Sequence, residues 1–167
     1  MRNILLATSV MFCDLAFANE LPDIKMPDNN ISFKQIRGYE DYKIVATHFR
    51  KDKNELRYVL ANKTAYKAIT ANKLPLPNGS KIVKIGWSVK PMSAYPDAIE
   101  ADKLQRVEFM VKNSKLYNNN GDNWGYARFV KKDDGYVPYA NGSAECIACH
   151  SAVASNDYLF TILQKTY

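Results

Sequence analysis

Gln105-Arg106-Val107-Glu108-Phe109-Met110-Val111-Lys112 decides the fold. Val107, Phe109 and Val111 alternate with Glu108, Met110 and Lys112, the two-residue period of a strand whose faces meet different surroundings. Upstream, Lys81 to Val89 repeats it, with Val83, Ile85, Trp87 and Val89 on one apolar face. Downstream, Trp124 to Val130 reads as a further strand, entered through Asn118-Asn119-Asn120-Gly121. Nearer the N-terminus, Lys43 to Arg50 and Glu55 to Leu60 are rich in strand formers. The turn Lys51-Asp52-Lys53-Asn54 between them makes a hairpin. Asn62 then reads as the N-cap of a helix over Lys63 to Asn72, where Ala65, Ala68 and Ile69 have helical spacing. Pro75, Pro77 and Asn78-Gly79 end it. This order predicts an α+β, mainly β, fold: an antiparallel sheet of about five strands with a few helices and a C-terminal attachment segment.

Composition narrows the classes. With 167 residues, one domain is expected. Hydrophobic residues at 47% and charged ones at 24% exclude global disorder. The net charge of +6 is spread in ones and twos, as at Lys51, Lys53, Lys63, Lys67 and Lys73, so no nucleic-acid partner is expected. Met1-Arg2-Asn3, the apolar run Ile4 to Phe12 and the small-x-small site Ala16-Phe17-Ala18 have the order of a secretory signal peptide. The run is too short to span a bilayer, which takes about 20 apolar residues. Residues 1–18 are therefore expected to be cleaved, giving an exported, periplasmic chain with no stable membrane insertion. Residues 19–41 follow as an extended lead-in, broken by Pro22, Pro27 and Asp28-Asn29-Asn30, and 42–167 form the functional domain.

Of 3 cysteines, Cys13 leaves with the signal, and the mature chain keeps Cys146-Ile147-Ala148-Cys149-His150. In an exported chain this spacing reads as a c-type haem attachment site. Two thiols one helical turn apart form thioethers with the haem vinyl groups, and the following histidine ligates the iron. A thioredoxin-like redox pair competes, but it belongs at the start of a helix near the N-terminal part of its fold. A zinc site needs two more ligands, and His48 is the only other histidine. Export, motif and the lack of other mature cysteines agree on one covalently attached haem c per chain, with His150 as the metal ligand. For a sixth ligand, His48 and Met92 are candidates, though His48 also reads as an ordinary strand histidine and Met110 as core filler. Phe109 and Phe129 could cap the iron with apolar bulk.

An ordered set of segments resembles the cytochrome P-460 family and the related cytochrome c′-beta group. It comprises Ala46-Thr47-His48-Phe49-Arg50, Asn54-Glu55-Leu56-Arg57-Tyr58, Pro75 to Lys84, Val107 to Lys112, Trp124 to Phe129, the cysteine motif and Asn156 to Phe160. The resemblance implies a small periplasmic, mainly β, homodimeric haem c protein with an open distal site and a periplasmic electron-transfer partner. Its relatives oxidise hydroxylamine or bind nitric oxide, so the implied ligand is hydroxylamine or a nitrogen oxide. Within the pattern Gly79-Ser80-Lys81-Ile82-Val83-Lys84, Lys84 falls where cytochrome P-460 proper links a lysine to the porphyrin. Arg57 falls at a distal-pocket arginine. Glu145, directly before Cys146, is a candidate proton acceptor, although Gly142-Ser143-Ala144-Glu145 departs from the family pattern. The expected catalytic set is therefore Arg57, Lys84 and Glu145. Alternatives are a non-catalytic nitric oxide-binding protein and a plain electron-transfer cytochrome.

Overall fold

Six strands hydrogen-bond in chain order, each antiparallel to the next. They are β1 (Lys43–Arg50), β2 (Glu55–Ala61), β3 (Lys81–Met92), β4 (Tyr95–Lys112), β5 (Trp124–Lys132) and β6 (Gly135–Pro138). Among the described residues two α-helices complete the regular structure, α1 (Lys63–Thr70) after β2 and α2 (Ala144–Ser151) after β6, with four short 3-10 turns. This computed structural model describes residues 22–118, 121–133, 135–161 and 163–164. The expected signal peptide, residues 1–18, lies outside the described residues.

Local chemistry sets the order. The β1–β2 hairpin closes through the turn Lys51–Lys53 and Asn54, whose φ of +47° is a conformation asparagine tolerates better than most residues. Asn62 caps α1: its Oδ1 accepts from the Ala65 amide at 3.0 Å and the Lys81 amide at 3.1 Å. The same side chain thus fixes the helix start and the entry to β3.

The mainly antiparallel architecture is as expected, with six strands where about five are read from the sequence. β6 is four residues long and ends in proline, so it carries no readable alternation. β4 begins at Tyr95, well before Gln105, because β3 and β4 continue past Gly86 and Arg106 as a ribbon. That ribbon is largely exposed on both faces, with Met92, Tyr95 and Ile99 open to solvent, so no apolar face marks it.

A second correction concerns the lead-in. Its described part packs on one face of the sheet: Met26, Ile31, Phe33 and Ile36 are wholly buried against Val83, Val107, Phe109 and Phe129. Phe33 meets Phe129 edge-on at 5.0 Å. The breakers Pro22, Pro27 and Asp28-Asn29-Asn30 announce irregular backbone correctly; they say nothing about what that backbone covers. Among the described residues, the opposite face is covered at one end, where α1, Leu76 and Leu159 pack on Val59, Ile82, Met110 and Trp124. Removing Phe33 should therefore cost about 3–5 kcal/mol, as truncation of a buried phenylalanine does. Equilibrium urea unfolding of Phe33→Ala should show a lower midpoint at unchanged slope. An unshifted midpoint would mean the segment is dispensable.

Candidate functional site

The uncovered part of that second face is the floor of an open cleft of about 860 Å³, and α2 stands over it. Asp28 from the N-terminal segment fixes the start of this helix, accepting from the Ser143 amide and hydroxyl, each at 2.6 Å. Burial pushes the Asp28 carboxyl up, but the Ser143 bonds outweigh it and hold its pKa below the usual value. A side chain at Gly142, which has φ +64°, would put Cβ 2.7 Å from the Asp28 Oδ2, so this contact requires glycine.

Cys146 and Cys149 are three residues apart on α2, one helical turn, and both line the cleft. His150 follows. Its Nδ1 lies 2.6 Å from the Tyr158 carbonyl oxygen. A carbonyl only accepts, so Nδ1 carries the hydrogen and Nε2 keeps a free lone pair. The ring is flanked by Tyr126 and Phe160, each at 5.2 Å between centroids. Burial lowers the imidazole pKa, which favours the neutral form that binds metal. The Tyr158 carbonyl is itself held. Asp157 and Tyr158 both have left-handed φ. Asp157 accepts from the Leu76 amide at 2.7 Å, pairs with buried Lys112, and offers its carbonyl to the Trp124 indole at 3.1 Å.

The sheet wall of the cleft is charged. In register across three strands, Lys84 stands opposite Glu108 and Glu108 opposite Arg128. Both cations pair with the Glu108 carboxylate at 2.5 Å, and Arg106 approaches it at 3.5 Å. Burial raises the Glu108 pKa, but the charges of Lys84 and Arg128, the Lys84 hydrogen bond and Arg106 overcome this and hold it at about 2. Wholly buried Glu55 pairs with Arg57 through its Nε and with Arg106. Gly86 makes room for it: a Cβ there would sit 3.2 Å from the Glu55 carboxyl carbon. Four cations (Arg57, Lys84, Arg106 and Arg128) thus share two buried carboxylates, leaving the wall net positive.

The fold brings Arg57, Lys84, Glu145, Cys146, Cys149 and His150 to this one cleft, and His48 with them. Glu145 stands at the rim, accepting from Asn141 at 2.6 Å and Tyr139 at 3.0 Å, with Arg128 at 3.7 Å. Those two hydrogen bonds are the main cause of its lowered pKa. Met92 lies out on the ribbon and does not line the cleft. The expectation that Phe109 and Phe129 cap the iron fails. Phe109 borders the cleft, but its ring stacks on Phe129 at 5.9 Å in the core under the N-terminal segment. Sequence reasoning does not single out Glu55, Arg106, Glu108 and Arg128, since a strand's alternating charged positions look the same on a solvated face as in a cleft wall.

These residues fit a haem. Two thiols at helical spacing, an imidazole with a free Nε2, apolar Met110 and Leu159 nearby, and a net positive wall suit a flat apolar ring bearing carboxylates. Fold and site together define a mainly antiparallel β haem protein. The chain belongs to the Cytochrome P460 family, which it matches over residues 36–161. No curated protein matches it.

Glu108 supplies a stability test. Its folded pKa lies below the unfolded value near 4.5, so its contribution is present above that value and is lost as pH falls toward about 2. Glu108→Gln should leave three cations poorly compensated and cost about 3–5 kcal/mol. Thermal unfolding against pH should show the gap between parent and variant at neutral pH, closing toward pH 2.

Proposed function

We propose that this protein is a periplasmic haem c oxidoreductase that oxidises hydroxylamine or a similarly small, polar nitrogen compound at an open distal site. The observation that carries this reading is the character of the sheet wall. It presents Arg57, Lys84, Arg106, Glu108 and Arg128 to the cleft, while Phe109, although it borders the cleft, packs with Phe129 in the core under the N-terminal segment. A wall of fixed charges favours a polar ligand that forms and loses charge; an apolar cap would favour a diatomic gas.

Cys146 and Cys149 would hold one haem through thioethers, and His150 Nε2 would bind its iron. When bound, the haem supplies an iron that accepts electrons from the ligand. Arg57 is held through its Nε by Glu55, which leaves the terminal amino groups of the guanidinium to orient an N–O group. Lys84 is the position for a second covalent tie to the ring, with Glu108 holding its Nζ. Glu145 lies at the cleft rim, where it can exchange protons with solvent. A periplasmic one-electron carrier removes the electrons, and two copies of the chain form a homodimer. Export follows cleavage after Ala18. No helix among the described residues is long and apolar enough to cross a membrane.

Mass spectrometry of protein matured in a periplasm should show the added mass of one haem, and neither Cys146 nor Cys149 should react as a free thiol. With hydroxylamine and an artificial electron acceptor, the holoprotein should turn over. Lys84→Leu should change the Soret band and turnover together. Lys81→Leu should leave the Soret band in place, because Lys81 faces the opposite side of the sheet and bonds the Gln35 carbonyl. Tight nitric oxide binding with no turnover under any acceptor would make the protein a gas binder instead.

A further inference from the structure

Oxidising hydroxylamine removes protons as well as electrons, so a proton acceptor must touch the substrate. Glu108 is a poor one, clamped by three cations. Glu145 has its carboxylate occupied by Asn141 and Tyr139 and weakened as a base by them. The Tyr126 hydroxyl donates to Asp122 at 2.7 Å. His150 spends Nδ1 on Tyr158, and its Nε2 would be taken by the haem iron. That leaves His48. It lines the cleft from β1, and neither ring nitrogen has a hydrogen-bond partner among the described residues. We infer that His48 is the general base of this site, an assignment that rests on the oxidoreductase reading above.

Its surroundings suit the role. Arg57 stands directly opposite on β2. Lys84 from β3, Arg50 two positions along β1, Lys53 from the hairpin turn and Cys149 from α2 line the same cleft. Burial, then the charges of Arg57 and Lys84, push the imidazole pKa below its ordinary value, so the ring is unprotonated at neutral pH and a lone pair is available. β1 is also the edge of the sheet, so a proton taken from the cleft has a short way to water. In the step, an N–H or O–H bond of the substrate breaks and the proton forms an N–H bond on the unprotonated ring nitrogen. The electron pair left behind stays on the substrate until oxidation; a haem held by Cys146, Cys149 and His150 would take the two electrons one at a time and pass them to two equivalents of the one-electron carrier, the second proton leaving by the same base after it has been restored. The imidazolium then releases its proton to solvent and the base is restored.

His48→Gln keeps polarity and approximate size but cannot take the proton; His48→Asn is the second variant should the first fail to load haem. Holoprotein of each is compared with the parent by pH-dependent turnover of hydroxylamine and by spectral titration with hydroxylamine and with cyanide. The parent's kcat should rise with pH through a group titrating below pH 6.5, the ordinary histidine value. In the variant that limb should vanish and kcat should fall about 100-fold, the lower end for general-base removal. Ferric spectra should be unchanged and both dissociation constants should stay within about twofold, since the lost interaction acts on the chemical step and not on binding. An unchanged pH profile in a variant with full haem overturns the assignment and leaves the oxidoreductase reading standing. A low-spin parent spectrum that becomes high-spin in the variant overturns it too, making His48 an iron ligand. A parent that does not turn over removes both.

Discussion

The hydrogen bond from His150 Nδ1 to the Tyr158 carbonyl is the constraint on which the site is built. It selects the tautomer and the ring orientation, and so leaves Nε2 with a lone pair rather than a hydrogen. It can do so only because Tyr158 cannot drift. The turn that carries it is left-handed at two successive residues. It is pinned by Asp157 to Leu76, Lys112 and Trp124, which belong to the loop before β3, the end of β4 and the start of β5. A buried ion pair such as Lys112–Asp157 adds little net stability on average, but breaking one half of it is costly. Its position gives the better account of why it is there: it fixes the carbonyl that fixes the imidazole.

The charged wall follows the same logic on a larger scale. Burying Glu55 and Glu108 would be prohibitive for isolated carboxylates. Placing Glu108 between Lys84 of β3 and Arg128 of β5, and Glu55 between Arg57 of its own strand and Arg106 of β4, offsets the desolvation and orients the cations in return. Register does the placing. Lys84, Glu108 and Arg128 face one another because three strands pair antiparallel without a shift at that level. Gly86 has no side chain where the Glu55 carboxylate crosses. The result is a preorganised positive field at the cleft, whose cations need not move when a ligand develops charge.

Much of this is legible in the sequence, for identifiable reasons. β1 has the bounds read from Lys43 to Arg50, and Asn62 caps its helix, because those signals are local. The cysteine motif is legible as two thiols one helical turn apart with a histidine after them, because that spacing is local. What is not legible depends on partners distant in the chain. Phe109 and Phe129 share a face that periodicity reveals, but only the N-terminal segment, folded back from far upstream, decides that this face is core. The alternation that makes Glu108 polar-facing cannot show that three cations meet it. β6 and the outer half of β4 are strands by pairing, with no apolar face to announce them.

The two faces of the sheet therefore do different work, and one makes the other possible. A single sheet with an open, charged cleft on one side buries too little apolar surface on that side to hold itself together. The N-terminal segment covers the other face, with Met26, Phe33 and Ile36 at no exposure. It also reaches around to the functional side. Asn29 donates to the Tyr126 carbonyl at 2.9 Å, and Asp28 caps the helix that carries the cysteines. The stretch that reads as least structured in the sequence thus joins core to site: its apolar residues stabilise the sheet, and its polar ones set where α2 begins and hence where both thiols and His150 stand.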